Sequence, residues 1–266
     1  MEFVLYMVVG ACSGVLAGLF GVGGGIIIVP ALVFAFKAQG IDPTVLTQLA
    51  VGTSLAVILF TSVNSVLGHQ KKGAVRWDLF KWMAMGILVG AVLGSLTATW
   101  IPGDKLQLII GIFAVCMSIQ MALNLRPKGD PSQDQEHVTI KPLWLQIAGL
   151  IIGWASAIFG VGGGSLTVPA LSWKGIPMRQ AVATSAAGGM PIALFSSLSF
   201  MFFGWGNPSL PNWSLGYVYL PALVGMAIMS MLFARVGVAL AHRLSQKMLR
   251  GLFAALLFCV GMSFIL

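Results

Sequence analysis

Residues 20–32 of this chain read FGVGGGIIIVPAL and residues 159–171 read FGVGGGSLTVPAL, a match at 10 of 13 positions. Each copy sits inside a long apolar stretch, roughly 3–36 and 142–173. Four glycines in five positions break a helix, and Pro30 and Pro169 limit the limb that follows. A helix broken inside apolar surroundings leaves backbone N–H and C=O groups unpaired. In a bilayer each unpaired group costs several kcal/mol unless protein or a wet cavity receives it. The repeated break therefore restricts the chain to folds in which both motifs are enclosed.

The surroundings are those of a membrane protein. The 266 residues are 58% hydrophobic and 8% charged, with a mean hydropathy of +0.95, against about 25% charged in soluble domains. That composition excludes an ordinary cytosolic enzyme and a secreted disulfide scaffold. Residues 44–68, 82–101, 106–125, 178–203, 214–234 and 248–266 are each long and apolar enough to span. The N-terminus has no basic segment or small-residue cleavage site of a signal peptide, so the first segment is expected to be retained. Cys12, Cys116 and Cys259 stand alone in apolar segments and read as small buried hydrophobes.

The duplication reaches beyond the motifs. Gly10, Gly14 and Gly18 precede Gly149, Gly153 and Ala157 by 139 residues, and Ala50-Val51-Gly52-Thr53-Ser54 answers Ala181-Val182-Ala183-Thr184-Ser185 at an offset of 131. Gly111-Ile112-Phe113 likewise answers Gly251-Leu252-Phe253. Residues 126–141 form the one polar stretch and hold 6 of the 22 charged residues. The chain thus divides into a first repeat (1–125), a polar cytoplasmic linker (126–141) and a second repeat (142–266).

Loop charge orients the repeats. If each broken stretch returns to the side it entered, each half crosses three times and the second half is inverted. Thirteen Lys and Arg residues, those from Lys71 to Lys81 and from Arg126 to Arg250, then lie inside. Only Lys37 and Lys105 lie outside. If each broken stretch crosses once, the counts become 7 and 8, with no bias. Positive loops stay cytoplasmic, which selects the inverted arrangement. The expected fold is all-α: two inverted-topology repeats, each a glycine-broken re-entrant hairpin plus about three transmembrane helices. The net charge of +8 is thereby a topology signal, and nothing in it points to nucleic acid.

Two broken helix ends brought to mid-membrane offer N–H groups and positive dipole ends to an anion. The candidate binding residues are Gly21, Gly23, Gly24, Gly25, Gly160, Gly162, Gly163 and Gly164, with Ser165 beside them. The paired Thr53-Ser54 and Thr184-Ser185 add hydroxyl donors without fixed charge. Back-bonding to helix carbonyls is their structural alternative. The four-residue spacing of Gly10/Gly14/Gly18 and of Gly86/Gly90/Gly94 reads instead as close helix packing. No Lys-Ser/Thr follows either motif and no soluble βαβ unit surrounds it, which argues against a nucleotide loop. None of the seven carboxylates lies within an expected span, and His69, His137 and His242 sit in loops or at span ends. Neither catalysis, a cofactor nor a metal is indicated.

At its doubled glycine–valine–proline motif the chain resembles the TauE/SafE family of sulfite exporters, the sulfite/organosulfonate transporters, over nearly its whole length. The resemblance implies movement of sulfur-containing anions such as sulfite or organosulfonates, mostly outward, across the cell (inner) membrane. The partners expected are a small anion and the lipid bilayer, with homodimerisation left open. The alternative from another class is a non-transporting membrane scaffold or assembly protein.

Overall fold

A computed structural model describes residues 2–20, 25–70, 73–122, 140–241 and 246–266. Ten helices lie among these residues: α1 (Glu2–Phe20), α2 (Gly25–Ala38), α3 (Pro43–Gln70), α4 (Trp77–Trp100), α5 (Gly103–Ala122), α6 (Pro142–Phe159), α7 (Gly164–Trp173), α8 (Met178–Phe203), α9 (Leu220–Ala241) and α10 (Gln246–Ile265). Local chemistry sets their starts. Pro43 and Pro142 open α3 and α6, where the missing N–H costs nothing. The Asp42 carboxylate accepts from both the N–H and the hydroxyl of Thr44, at 2.9 and 2.7 Å.

Five helices among the described residues are long and apolar enough to cross a membrane: α3 over Pro43–Val63, α4, α5 over Gly103–Gln120, α6, and α8 over Gln180–Phe203. The outward faces of α4 and α6 carry exposed Met85, Val89, Leu93, Leu143, Ile147 and Ile151. Such surface suits acyl chains, and the chain is a multi-pass membrane protein. The three cysteines correct the sequence reading: all are exposed rather than buried. In a bilayer the outer surface is apolar too, so an apolar segment does not reveal which face is inside.

One expected span also shifts. The segment 214–234 begins with an antiparallel pair, Ser214–Leu215 against Val218–Tyr219. Gly216 turns it at φ 54°, and α9 starts only at Leu220. The α8–α9 connection, 204–219, is therefore much longer than its counterpart 71–76.

The packing repeats across the two halves. α4 lies along α6, and their equivalents, α9 and α1, lie along each other. Both pairs are parallel: Gly10 faces Met226 and Gly14 faces Ser230, while Gly86 faces Gln146 and Gly94 faces Trp154. Gly10, Gly14, Gly86, Gly90 and Gly94 are thus helix contacts between halves, as their spacing predicts; the surroundings of Gly18 lie outside those described. Equivalent helices run antiparallel. Gly52, early in α3, meets Phe200, late in α8, whereas Ala74 and Val75, just after α3, pack with Ala183 and Ala187, early in α8. In α5 and α10, Gly111 faces Gly261 and Phe264, and the Ser118 hydroxyl donates to the Ala254 carbonyl at 2.7 Å.

Both broken stretches double back. The Tyr6 hydroxyl near the start of α1 donates to Gln39 Oε1 just beyond α2, at 2.7 Å. Lys174 beyond α7 lies 4.9 Å over the ring of Trp144 near the start of α6.

Candidate functional site

The second glycine break is described in full. α6 ends at Gly160 with φ 65° and ψ 30°, the left-handed conformation that favours glycine. The Ser156 carbonyl accepts from Val161 N–H at 3.0 Å. The turn through Val161–Gly163 then opens α7, where Gly163 O accepts from the N–H groups of Leu166 and Thr167 at 3.2 and 2.7 Å. Gly164 N–H bonds the Gly162 carbonyl. The N–H groups of Gly162, Gly163 and Ser165 meet no partner among the described residues. They stand at the positive end of the ten-residue α7, where Val161, Gly162, Gly163 and Ser165 are buried.

The two breaks meet. A Cβ on Gly25, the first residue of α2, would stand 2.8 Å from the Gly160 carbonyl oxygen and 3.0 Å from Val161 Cα. The Ser54 hydroxyl of α3 donates to that same Gly160 carbonyl at 2.9 Å. Ser54 thereby fixes the corner of the opposite repeat's break. Gly21, Gly23 and Gly24 lie outside the described residues.

Thr53 and Thr184 have matching partners. Thr184 Oγ1 accepts from Arg76 N–H, immediately before α4, at 3.1 Å. Thr53 Oγ1 accepts from Tyr219 N–H, immediately before α9, at 3.0 Å. Each threonine of one repeat thus caps a helix of the other, a service that a capping-box Glu performs within its own helix. The hydroxyl oxygens are committed as acceptors here, and only their O–H hydrogens remain to donate. Both threonines are fully buried, so valine at either position should orphan an enclosed N–H. A loss of about 1–3 kcal/mol is expected, read as earlier thermal unfolding in detergent, with serine restoring most of it. An unchanged midpoint in both valine variants would remove the capping role.

Ser165, Thr167 and Ser185 differ from these. Their hydroxyls are buried and have no hydrogen-bond partner. Thr167 is absent from the sequence-derived set, yet its Oγ1 lies 3.3 Å from the Cβ position of Gly163. The signal was available in the mismatches between motif copies: Ser165 and Thr167 replace Ile26 and Ile28. The buried polar residues among those described are Ser, Thr and Gln alone, with no Asp, Glu, Lys, Arg or His. The arrangement can offer many neutral donors to an anion and no fixed charge. No cluster of His, Cys, Asp or Glu suited to a metal occurs among the described residues.

Comparison with known proteins agrees with this architecture. The family model described as Sulfite exporter TauE/SafE matches residues 6–264. A probable membrane transporter protein of Haemophilus influenzae is 34% identical over 98% of this chain and 97% of its own length. One of Methanocaldococcus jannaschii is 31% identical over 98% and 95%. The Bacillus subtilis probable membrane transporter protein YunE is 28% identical over 98% and 96%. No solved structure matches the chain significantly.

Proposed function

Because the chain belongs to the TauE/SafE sulfite exporter family and is a membrane transporter rather than an enzyme, we propose that it carries small sulfur-containing anions, sulfite or organosulfonates, outward across the cell (inner) membrane. The observation that carries this reading is the buried N-terminus of α7, with three N–H groups and adjoining hydroxyls that meet no partner among the described residues. A helix N-terminus holds anions through those N–H groups and a dipole worth about half a positive charge. Sulfite and sulfonate oxygens are acceptors that such donors match without protein charge.

In this reading residues 1–125 and 142–266 are the two inverted repeats and 126–141 is a cytoplasmic linker. The anion lies near mid-membrane where the breaks converge. Gly21, Gly23, Gly24 and Gly25 complete the cradle from the first repeat. Thr53, Ser54 and Thr184 hold its frame, while Gly160, Gly162, Gly163, Gly164, Ser165 and Ser185 face the ligand.

Purified protein in liposomes loaded with radiolabelled sulfite or sulfoacetate tests the reading. Saturable flux above that of empty liposomes is expected. Gly162→Val should abolish it while inserting normally, since its Cβ would press 2.9 Å from Ile58 Cγ2 at the turn. No flux from the wild type, or full flux from Gly162→Val, would overturn the assignment.

A further inference from the structure

The repeats that built the centre are unequal at the positions flanking it. The offset of 131 that aligns Thr53-Ser54 with Thr184-Ser185 also aligns Val57-Ile58 with Gly188-Gly189. Likewise the motif alignment places Ile28 opposite Thr167. In the first repeat both isoleucines are buried and filling: Ile28 is fully enclosed, and the Ile58 side chain rests against Gly25 and Gly162. In the second repeat, a Cβ on Gly189 would meet no atom within 4 Å, although the residue is buried. Among the described residues nothing fills the space off Gly189, whereas its counterpart Ile58 carries a buried side chain.

Donors stand close to this point. The Cβ position of Gly163, at the N-terminus of α7, is 3.8 Å from Gly189 N, 2.7 Å from Ile192 Cδ1 and 3.3 Å from Thr167 Oγ1. Ser185 stands one helical turn before Gly189 and so shares its face of α8. Thr167 is 0% and Ser185 2% exposed, and neither hydroxyl has a partner. A buried hydroxyl left unmatched costs about 1–3 kcal/mol. Two such hydroxyls beside three unmatched N–H groups are accounted for by a ligand that accepts from all of them.

We propose that the anion's hydroxyl donors come from the second repeat, Thr167 and Ser185, in the space between the N-terminus of α7 and Gly188–Gly189 of α8, with the first repeat adding only backbone of its glycine break. Ile28 and Ile58 close the equivalent place in the first repeat. The ligand class is a compact oxyanion with at least two acceptor oxygens, bound by neutral donors only. This rests on the anion-transport reading above, and equilibrium binding separates the two claims.

Binding of sulfite and of methanesulfonate to the purified full chain is measured by titration calorimetry, beside flux in liposomes. Thr167→Val and Ser185→Ala should each weaken binding roughly tenfold or more, with Thr167→Ser recovering most of the loss. Gly189→Val is the sharper variant. Its added carbons enter open space, so the protein should fold normally and yet bind neither anion. Ile28→Val, at the closed counterpart, should stay within about twofold of the wild type. Wild-type affinity in both hydroxyl variants would overturn the subsite, as would unimpaired binding by Gly189→Val. Absence of binding by the wild type would overturn it as well. Binding that persists without flux would remove the transport reading and leave the subsite in place.

Discussion

Valine in place of Gly90 should leave at most a tenth of the wild-type yield of monodisperse protein. Gly86, Gly90 and Gly94 bring the backbone of α4 directly onto that of α6. A Cβ on Gly90 would overlap the Leu150 carbonyl oxygen and stand 2.9 Å from Trp154 N. The colliding atoms are backbone, so no rotamer change relieves them. The helices must separate along their whole contact, and dispersion and packing are what join helices in lipid. Overpacking costs typically 1–3 kcal/mol where side chains can yield, and about 4 kcal/mol or more is expected where they cannot. Gly251→Ala is the control, because its Cβ meets no atom within 4 Å. Yield is read by size exclusion in detergent. A normal yield of Gly90→Val would mean that the two halves do not approach this closely.

The same stripe shows which parts of the fold were open to reading. Spacing of four among glycines predicts a smooth helix face, and each stripe indeed meets a backbone. The polar gap, the long apolar runs and the doubled motif likewise have a direct physical meaning in a bilayer, because the penalty for unpaired backbone leaves few alternatives. Burial within the membrane was not legible: Cys12, Cys116 and Cys259 are exposed although nothing in their segments distinguishes a lipid-facing residue from an enclosed one. The start of α9 was misplaced for a related reason. Tyr217, Val218 and Tyr219 are largely apolar and buried but lie in a short hairpin packed against α3, and hydropathy does not distinguish such a segment from the helix it precedes.

At the candidate site, matching positions between the repeats revealed the frame, and the mismatched positions are those proposed to hold the ligand. Thr53 and Thr184 are alike in both repeats because each caps the other half's helix. Duplication of a residue is what a symmetric structural duty requires. Thr167, Gly188 and Gly189 escaped because they break the repeat, replacing Ile28, Val57 and Ile58. A ligand held by one member of a pair of breaks needs such departures, and the alignment of the chain with itself contains them.

Flux through the protein should follow the membrane potential and ignore sodium and proton gradients. The buried residues described include no Asp, Glu, Lys, Arg or His. Among the described residues, Glu2, Asp78 and Asp104 stand at helix starts and Asp42 in a connection. An anion carried past these residues would cross with its own charge uncompensated by any of them. One elementary charge in a potential of 100 mV is worth about 2.3 kcal/mol. At about 1.4 kcal/mol per tenfold ratio, that holds a monoanion roughly 50-fold more concentrated outside a negative-inside cell. Outward movement of a toxic anion needs no further coupling at that ratio. The test sets a potassium–valinomycin potential across liposomes with pH and sodium matched, using methanesulfonate, whose charge does not vary near neutral pH. An outward rate that rises with inside-negative potential and reverses with its sign is the expected result. Flux indifferent to potential but steep in a proton gradient would overturn it, and would place a titrating group on the pathway, with His69 at the end of α3 the first to replace.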